Sequence, residues 1–207
     1  MSTSTTRVAL PGGFATGKSY CLTRFAELGA PTVDADVLAH RAIAPGTPGF
    51  DAVLARFGRG VLQPHGEIDR AGLGRLVFAD ATARRDLEHI IHPGVYEAIA
   101  RWYAQLANSP GAPARPVGIA DIPLLFETGR AKDFDTVLVA SCPPELQVAR
   151  LVKRNNLTEA EARQRLATQL PIDEKARRAD YVIDTSGDRR ETDRQVATVW
   201  SAILARP

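Results

Sequence analysis

Residues 7–28 read RVALPGGFATGKSYCLTRFAEL, and this stretch decides which fold the chain can adopt. It opens with a short apolar run at 7–10, which has the length and composition of a buried strand. A loop of small residues follows, with glycine at positions 12, 13 and 17. Residues 18–28 then have the spacing of a helix. The stretch therefore predicts a strand, a loop with few side chains and a helix in direct succession.

The glycine loop is suited to holding an anion such as a phosphate group. Four residues separate Gly12 from Gly17, and Lys18 and Ser19 follow, which is the phosphate-loop pattern. Small side chains let backbone amides point inward, and the next helix adds free N–H groups and the positive end of its dipole. Lys18 can reach terminal phosphates, and Ser19 can hold Mg²⁺. The alternative is a glycine turn without a ligand.

Further apolar segments alternate with helical patterns along the chain. Strands are predicted at 31–34, 117–121, 136–141 and 181–184, and helices at 144–154 and 189–205. This alternation predicts a three-layer α/β/α fold with a five-stranded parallel sheet and ligands at the carboxyl ends of the strands.

Two helical segments interrupt this core, which we place at 7–36, 117–149 and 180–207 of a single domain spanning 1–207. The first segment, 37–116, contains predicted helices at 51–56, 70–78 and 83–106 and is interpreted as a helical substrate-binding insertion over the ligand edge. The second segment, 150–179, is basic and is interpreted as a helical lid.

The composition is that of an ordinary globular protein. Of 207 residues, 44% are hydrophobic and 24% are charged, and the net charge is +2, so nothing indicates a nucleic-acid or acidic-membrane partner. No apolar stretch approaches the ~18 residues of a membrane span. Residues 1–7 lack the apolar core of a secretory signal and are predicted to be a frayed tail. Cys21 and Cys142 favour free thiols in a reducing compartment. We expect a cytoplasmic protein with small-molecule substrates, either a monomer or a weak homo-oligomer.

Acidic residues follow two of the predicted strands. Asp34 and Asp36, two apart on an extended segment, would point the same way, one to accept a proton and the other to orient metal or substrate. The alternative is a helix N-cap, since an aspartate directly before Val-Leu-Ala-His (37–40) is a good cap, and both interpretations can hold at once, with one Asp capping and the other reacting. Asp121 ends a core strand, where a carboxylate beside Mg²⁺ is expected, although a plain strand end is equally compatible. His92 precedes Pro93 in a helical run and either contacts a ligand or marks a kink.

Basic residues in the second helical segment are candidates for neutralising phosphate charge. Arg150 and Arg154 share one helix face, with Lys153 between them, and Arg163 and Arg165 follow. Arginine forks suit the charge that a phosphoryl-transfer transition state spreads over several oxygens. Interleaved glutamates leave a solvated helix face as the alternative.

Taken in order, these motifs resemble the dephospho-CoA kinases, a family of phosphate-loop kinases. The resemblance covers nearly the whole chain. It rests on the glycine loop, DAD at 34–36, the PG…FG…G-x-I-D-R run at 45–70, HP at 92–93, PLLFE at 123–127, R-L-x-x-R at 150–154, R-x-x-x-Q at 165–169 and K-x-x-x-A-D-Y-V-I-D at 175–184. It implies a P-loop NTPase fold and an ATP- and Mg²⁺-dependent kinase. The reaction would be phosphorylation of the ribose 3′-hydroxyl of 3′-dephospho-CoA, the last step of coenzyme A biosynthesis.

The resemblance also implies a role for each motif. The ATP-binding residues would be Gly12, Gly13, Phe14, Ala15, Thr16, Gly17, Lys18 and Ser19, together with Arg150 and Arg154. The Mg²⁺ ligands would be Ser19 and Asp121. The catalytic residues would be Asp36 as the base, with Asp34, Lys18 and Arg150. The acceptor would be contacted by Asp36, His92, Pro123, Leu124 and Leu125.

The chain departs from the family pattern inside the loop and near the lid. Pro11, Phe14, Ala15 and Tyr20 replace threonine, isoleucine, glycine and a hydroxyl residue, and Asn155 replaces an aspartate. If position 15 needs a positive φ, the alanine methyl costs roughly 1 kcal/mol, enough to weaken ATP binding about tenfold. Two alternatives stay open: a phosphate-loop kinase of another nucleoside, nucleotide or small hydroxyl compound, and a nucleotide-binding regulator without catalysis.

Overall fold

The computed structural model describes residues 5–206, which form two compact units. One unit contains the chain up to Val33 and again from Tyr103 onward, and the other contains residues 34–102. Of the tail predicted at 1–7, residues 1–4 lie outside the described part. Thr6 and Arg7 already belong to the first strand, so the tail prediction is wrong for these two residues.

The first unit is built on a five-stranded parallel sheet. Its strands are β1 (Thr6–Leu10), β2 (Thr32–Asp34), β3 (Val117–Asp121), β4 (Thr136–Ser141) and β5 (Tyr181–Asp184). They lie in the order β2-β3-β1-β4-β5, so the strand that feeds the glycine loop is central. The predicted α/β fold and parallel sheet are confirmed.

Helices follow β1, β2, β4 and β5, as the sequence predicts, and a 3₁₀ turn, Ala131–Asp133, lies between β3 and β4. The helices are α1 (Lys18–Glu27), α2 (Ala35–Ala42), α3 (Pro48–Phe57), α4 (Arg70–Ala79), α5 (Ala81–Ala107), α6 (Pro144–Asn155), α7 (Glu159–Leu166), α8 (Ile172–Arg177) and α9 (Arg189–Leu204). Pro93 lies inside α5, which continues through it. Within residues 5–206, none of the helices combines the length and apolar character that crossing a bilayer requires.

The core of the first unit explains why its strands read as continuous apolar runs. Val8 and Leu10 of β1 are fully buried, because the strand is covered on both faces. Phe25 of α1 and Trp200 of α9 meet edge to face in the same core, with ring centroids 6.2 Å apart. Cys21 is also buried there, which raises the pKa of its thiol to about 12 and makes it unreactive at neutral pH. Both cysteines are free and buried, so the prediction of free thiols is confirmed.

Residues 34–102 bury a separate apolar core. It contains Ile43, Val53 and Leu73, with side chains of α3, α4 and α5 packed around them. Gly49 lets the start of α3 approach the end of α2, since a Cβ at this position would lie 2.2 Å from the carbonyl oxygen of Ala42. The helical character predicted for this part of the chain is therefore observed, with a core of its own.

Candidate active site

The glycine loop lies between β1 and α1, at the carboxyl edge of the parallel sheet. Gly17 stands directly before α1 with φ of +81°, which glycine adopts without a Cβ penalty. Among the described residues, no side chain caps α1, and its first turn has no acidic residue. The first-turn amides of α1 are therefore left for an anion, which is what the phosphate-loop pattern requires.

Ala15 adopts φ of +57°, the left-handed conformation that makes its methyl group unfavourable. The same methyl packs with Phe14 against an apolar cluster formed by Val148, Leu151 and Ala162 of α6 and α7. Burial of the methyl offsets part of the backbone strain. The loop therefore accommodates the alanine by packing it against the helices that follow β4.

Arg150 connects the glycine loop to the residue that follows β5 through hydrogen bonds. Its Nη1 donates to the carbonyl oxygen of Ala15 at 3.2 Å and to Oγ1 of Thr185 at 3.2 Å, and its Nη2 donates to the Thr185 carbonyl at 2.6 Å. Thr185 Oγ1 in turn donates to the carbonyl of Thr16 at 2.7 Å. Sequence reasoning missed Thr185, although it directly follows β5 and strand ends meet at this edge of the sheet.

Lys18 and Asp121 form an ion pair beside the loop. The Lys18 ammonium contacts both carboxylate oxygens of Asp121, and the two side chains are only 15% and 5% exposed. The structure thus brings the loop lysine and the acid at the end of β3 together. Burial strengthens this pair, because a low-dielectric surrounding screens charges less than water does.

The donor set at this place fits Mg²⁺ only in part. The Asp121 carboxylate and the Ser19 hydroxyl offer the hard oxygen atoms that Mg²⁺ prefers. Within residues 5–206 there is no cluster of three or more His, Cys, Asp or Glu side chains able to hold a metal. The two oxygen donors of the chain would therefore hold Mg²⁺ only together with ligands from outside the chain.

A cavity of about 590 Å³ opens beside the loop. Ala15, Gly17, Arg150, Arg154 and Arg189 are among the residues that line it. The volume falls in the range of small-molecule sites, and three arginines make its surface cationic. The structure therefore brings together the two arginines predicted from sequence, Arg150 and Arg154, and adds Arg189 of α9. Apart from its charge, no sequence pattern marks Arg189.

Two departures from the family pattern have structural partners. The Tyr20 hydroxyl donates to Asp193 of α9 at 2.7 Å, and this hydrogen bond raises the pKa of the phenol. The Asn155 side-chain oxygen accepts from Nε of Arg154 at 3.0 Å. Tyr20 therefore ties α1 to α9, and Asn155 orients Arg154 beside the cavity.

The segment after β3 carries the predicted contacts Pro123, Leu124 and Leu125. Pro123 and Leu124 are half-buried, whereas Leu125 is fully buried. The Leu125 side chain therefore offers no surface to an acceptor in this conformation.

The predicted acids of the second unit are arranged differently from the expectation. Asp34 is the N-cap of α2, because its Oδ1 accepts from the amides of Asp36 at 2.7 Å and Val37 at 3.3 Å. Asp36 lies in the first turn of α2 and is exposed. The expectation that both acids share one extended segment is wrong, because the helix begins directly after Asp34. A helix N-cap is present as the alternative expected, but the capping residue is Asp34 and not Asp36, the aspartate directly before Val-Leu-Ala-His.

Residues 34–102 also enclose a cavity of about 720 Å³. Arg41 of α2 and Pro93, Gly94 and Arg101 of α5 contribute to its wall. His92 precedes this wall in sequence, and its ring lies 5.6 Å from that of Tyr96. The unit thus offers a second site with both apolar and cationic groups.

The fold and the loop define the class of the protein as a phosphate-loop kinase. A shikimate kinase from Acinetobacter baumannii superposes with a TM-score of 0.55 at 17% identity, covering 98% of this chain and 95% of that one, which shows the shared fold. A dephospho-CoA kinase from Campylobacter jejuni superposes with a TM-score of 0.70 at 27% identity, covering 95% of this chain and 96% of that one.

The sequence profile of the dephospho-CoA kinase family matches residues 6–191. Curated dephospho-CoA kinases are similar over most of their length. The Geobacter metallireducens protein is 45% identical, and the alignment covers 93% of this chain and 94% of that protein. The Anaeromyxobacter dehalogenans protein is 47% identical, and the alignment covers 87% of this chain and 83% of that protein. The chain belongs to the dephospho-CoA kinase family. It is accordingly an ATP-dependent kinase that transfers phosphate to an alcohol.

Proposed function

We propose that this chain transfers the γ-phosphoryl group of ATP to the ribose 3′-hydroxyl of 3′-dephospho-CoA, giving CoA and ADP. The observation that carries the proposal is the uncapped start of α1 with the buried Lys18–Asp121 pair beside it, in a chain of this family. The alternative of a regulator without catalysis is not favoured, since these groups are in place.

ATP binding is assigned to the glycine loop, residues 12–19. Its amides and the N-terminus of α1 would receive the phosphates, and Lys18 would exchange Asp121 for a phosphate oxygen. Ser19 and Asp121 would hold Mg²⁺, which would supply positive charge that neutralises the charge of the phosphates.

The arginines divide into two roles in this proposal. Arg150 donates to carbonyl oxygens of Ala15 and Thr185, so it supports the loop that holds the phosphates. Arg154 is exposed at the cavity and would contact the phosphates directly. Arg189, over the ring of Tyr20 at 5.2 Å, would add positive charge on the far side of the cavity.

Asp36 is the proposed general base. Asp34 is engaged in capping α2, whereas among the described residues no donor is found on the Asp36 carboxylate. An exposed carboxylate held at the start of a helix can accept the proton of a hydroxyl that attacks the γ-phosphate.

The acceptor is assigned to the cavity of residues 34–102. Arg41 and Arg101 supply charge for its diphosphate, and the apolar wall suits the pantetheine arm. Asp36 and Arg41 lie on the same short helix, which places the base and this cationic wall within about two helical turns.

Substitutions of Asp36 and Asp34 distinguish the proposed general base from the helix cap. Asp36→Asn should leave ATP affinity near the wild-type value and abolish phosphoryl transfer, because it removes the proton acceptor and nothing from the glycine loop. Asp34→Asn retains a capping oxygen and should keep most of the activity. Calorimetry with ATP and a coupled assay of CoA formation measure both. Loss of transfer in Asp34→Asn with activity retained in Asp36→Asn would reverse the two assignments.

One coupled assay tests the acceptor. ADP formation should be fast with 3′-dephospho-CoA, slow with nucleoside monophosphates and slower still without an acceptor. Faster turnover of a nucleoside monophosphate would replace the proposed substrate.

A further inference from the structure

Lys175 of α8 is a buried lysine that the assigned mechanism does not use. Its side chain is fully inaccessible to solvent, which is rare for lysine unless its charge is satisfied. The ammonium donates to the carbonyl oxygens of Gly12 at 3.1 Å and Pro123 at 3.2 Å. It also pairs with the carboxylate of Glu127 at 2.7 Å. Three partners thus match the three N–H donors of the group.

These partners belong to the two segments that carry the proposed phosphate and Mg²⁺ groups. Gly12 opens the glycine loop, and Pro123 follows Asp121 by two residues. Glu127 closes the turn after β3, and its carboxylate also accepts from the amide of Leu170 at 3.0 Å, just before α8. One ammonium group therefore joins the glycine loop, the turn after β3 and α8.

The bond to Gly12 has a directional consequence for the loop. In a planar trans peptide the carbonyl and the next N–H point in opposite directions. Holding the Gly12 oxygen on Lys175 therefore aims the N–H of Gly13 away from it. A Cβ at Gly12 would lie 3.0 Å from Cδ of Lys18, so the Lys18 stem passes directly over this peptide. The position of Gly12 thus also guides the path of Lys18.

We propose that Lys175 is a positioning residue for phosphoryl transfer. It contacts neither ATP nor the acceptor. It holds Gly12 and the turn after Asp121 at a fixed spacing, and this keeps the Lys18 ammonium and the Asp121 carboxylate at the place proposed for the phosphates and Mg²⁺. Glu127 keeps the ammonium in place. The inference rests on the proposed function for the nucleotide site and is independent of the acceptor's identity.

The alternative is a buried ion pair that only stabilises the fold. Removing one partner of such a pair is strongly destabilising in either case, so a lower melting temperature does not distinguish them. Positioning predicts a further effect in the folded variant: weaker binding of Mg²⁺·ATP and slower transfer, with the KM for the acceptor unchanged.

Lys175→Met tests the proposal, because methionine keeps an unbranched apolar stem and lacks the ammonium. Lys132→Met is the matched control, since Lys132 is exposed on a short 3₁₀ turn. Thermal unfolding followed by circular dichroism identifies a temperature at which Lys175→Met and Lys132→Met are both folded. Lys175→Met should then bind Mg²⁺·ATP at least about tenfold more weakly by calorimetry and show a reduced kcat, and Lys132→Met should match the wild type. A folded Lys175→Met with wild-type ATP affinity and kcat would overturn the proposal.

Two further variants cover the remaining outcomes. Glu127→Gln removes the counter-charge and keeps the lysine, and it should shift ATP affinity in the same direction. If Lys175→Met does not fold, wild-type ATP binding by folded Glu127→Gln overturns the proposal. The double variant should bind ATP no better than Lys175→Met. Recovery of binding in the double variant would assign the defect to the stranded carboxylate and reject positioning. Calorimetry measures ATP binding without an acceptor. Failure of the positioning proposal would therefore be seen in ATP affinity, whereas failure of the proposed function would be seen as a wild-type protein that does not use 3′-dephospho-CoA.

Discussion

Lys18 illustrates how one residue depends on a distant segment of chain. The loop pattern identifies it, but its carboxylate partner, Asp121, is 103 positions away. The pair is largely buried, so its charges interact more strongly than they would at the surface. In the proposed ATP complex, a phosphate that replaced Asp121 at Lys18 would therefore enter a place that already holds a negative charge.

Lys18→Met should lower kcat by orders of magnitude, since it removes the cation that reaches the terminal phosphates. The circular dichroism spectrum should remain that of a folded α/β protein. Combining the substitution with Asp121→Asn removes the charge that Lys18 balances and controls for electrostatic destabilisation. Activity unchanged in Lys18→Met would remove the phosphate-loop assignment.

Ala15 combines an unfavourable backbone conformation with a favourable contact. Ala15→Gly relieves roughly 1 kcal/mol of strain at φ of +57° and gives up about 0.8 kcal/mol of methyl burial, so we expect ATP affinity to be kept or slightly improved. Calorimetry with Mg²⁺·ATP measures this balance. A clear loss of affinity would mean that packing of the methyl against α6 and α7 holds the loop in shape.

At the scale of elements, the N-termini of the helices differ in whether a side chain caps them. Asp34 caps α2, and Thr47, Thr158 and Asp188 cap α3, α7 and α9, whereas α1 starts without a side-chain cap. A cap consumes a carboxylate or hydroxyl that would otherwise be available for chemistry. The start of α1 is therefore open to a ligand, and the start of α2 is closed by Asp34.

The start of α5 provides a pH-dependent test of capping. Asp80 Oδ1 accepts hydrogen bonds from the amides of Ala83 and Thr82. Both bonds lower the pKa of Asp80, and the bond from Ala83 has the larger effect. Because the pKa of Asp80 is lower in the folded protein than in the unfolded chain, the ionised cap stabilises the fold. This stabilisation is fully present above the pKa of the unfolded chain, about 3.9, and it is lost as the pH falls through the pKa of the folded protein. The melting temperature of Asp80→Ala should thus lie below that of the wild type near neutral pH, and the gap should close in acid.

Asp80→Asn serves as the control for this titration, because the amide oxygen caps without ionising. Its difference from Asp80→Ala should not vary with pH. A wild-type advantage that persists unchanged in acid would show that the carboxylate charge contributes nothing.

At the scale of the whole molecule, residues 5–206 form two units with separate cores, and each of the two cavities described above lies within one of them. The glycine loop and its arginines belong to the first unit, and Asp36 and the helical cavity belong to residues 34–102. Ligands that bind one unit should stabilise that unit first, because binding to the folded form shifts its local opening equilibrium.

Hydrogen exchange should therefore separate the two substrates. Mg²⁺·ATP alone should slow exchange at residues 12–19 and at the start of α9, and 3′-dephospho-CoA alone should slow exchange in α2 and the middle of α5. Mass spectrometry of peptic peptides measures both. Protection of residues 34–102 by ATP with none in the glycine loop would contradict the assignment of the two sites.

Local pattern was sufficient to predict much of this molecule. The strands β3, β4 and β5 occur at the predicted residues. β3 and β4 are buried apolar runs, whereas β5 is a short apolar segment at the sheet edge in which only Ile183 is buried. The glycine loop was predictable because its chemistry lies within eight consecutive residues. The start of α2 was not the favoured interpretation, because the sequence at 34–36 is compatible both with an extended segment and with a capped helix, and the local pattern does not decide between them.

By itself, then, the sequence determined the strands, the loop and the family, because these depend on short motifs and on the order of those motifs along the chain. The order of the strands in the sheet came from the tertiary structure. Only the tertiary structure decided that Asp34 is a cap, that Arg150 and Thr185 brace the loop, and that Lys175 reaches Gly12 across 163 positions. Such contacts leave no periodic signal, because burial and hydrogen-bond geometry between distant segments are fixed only when the core packs.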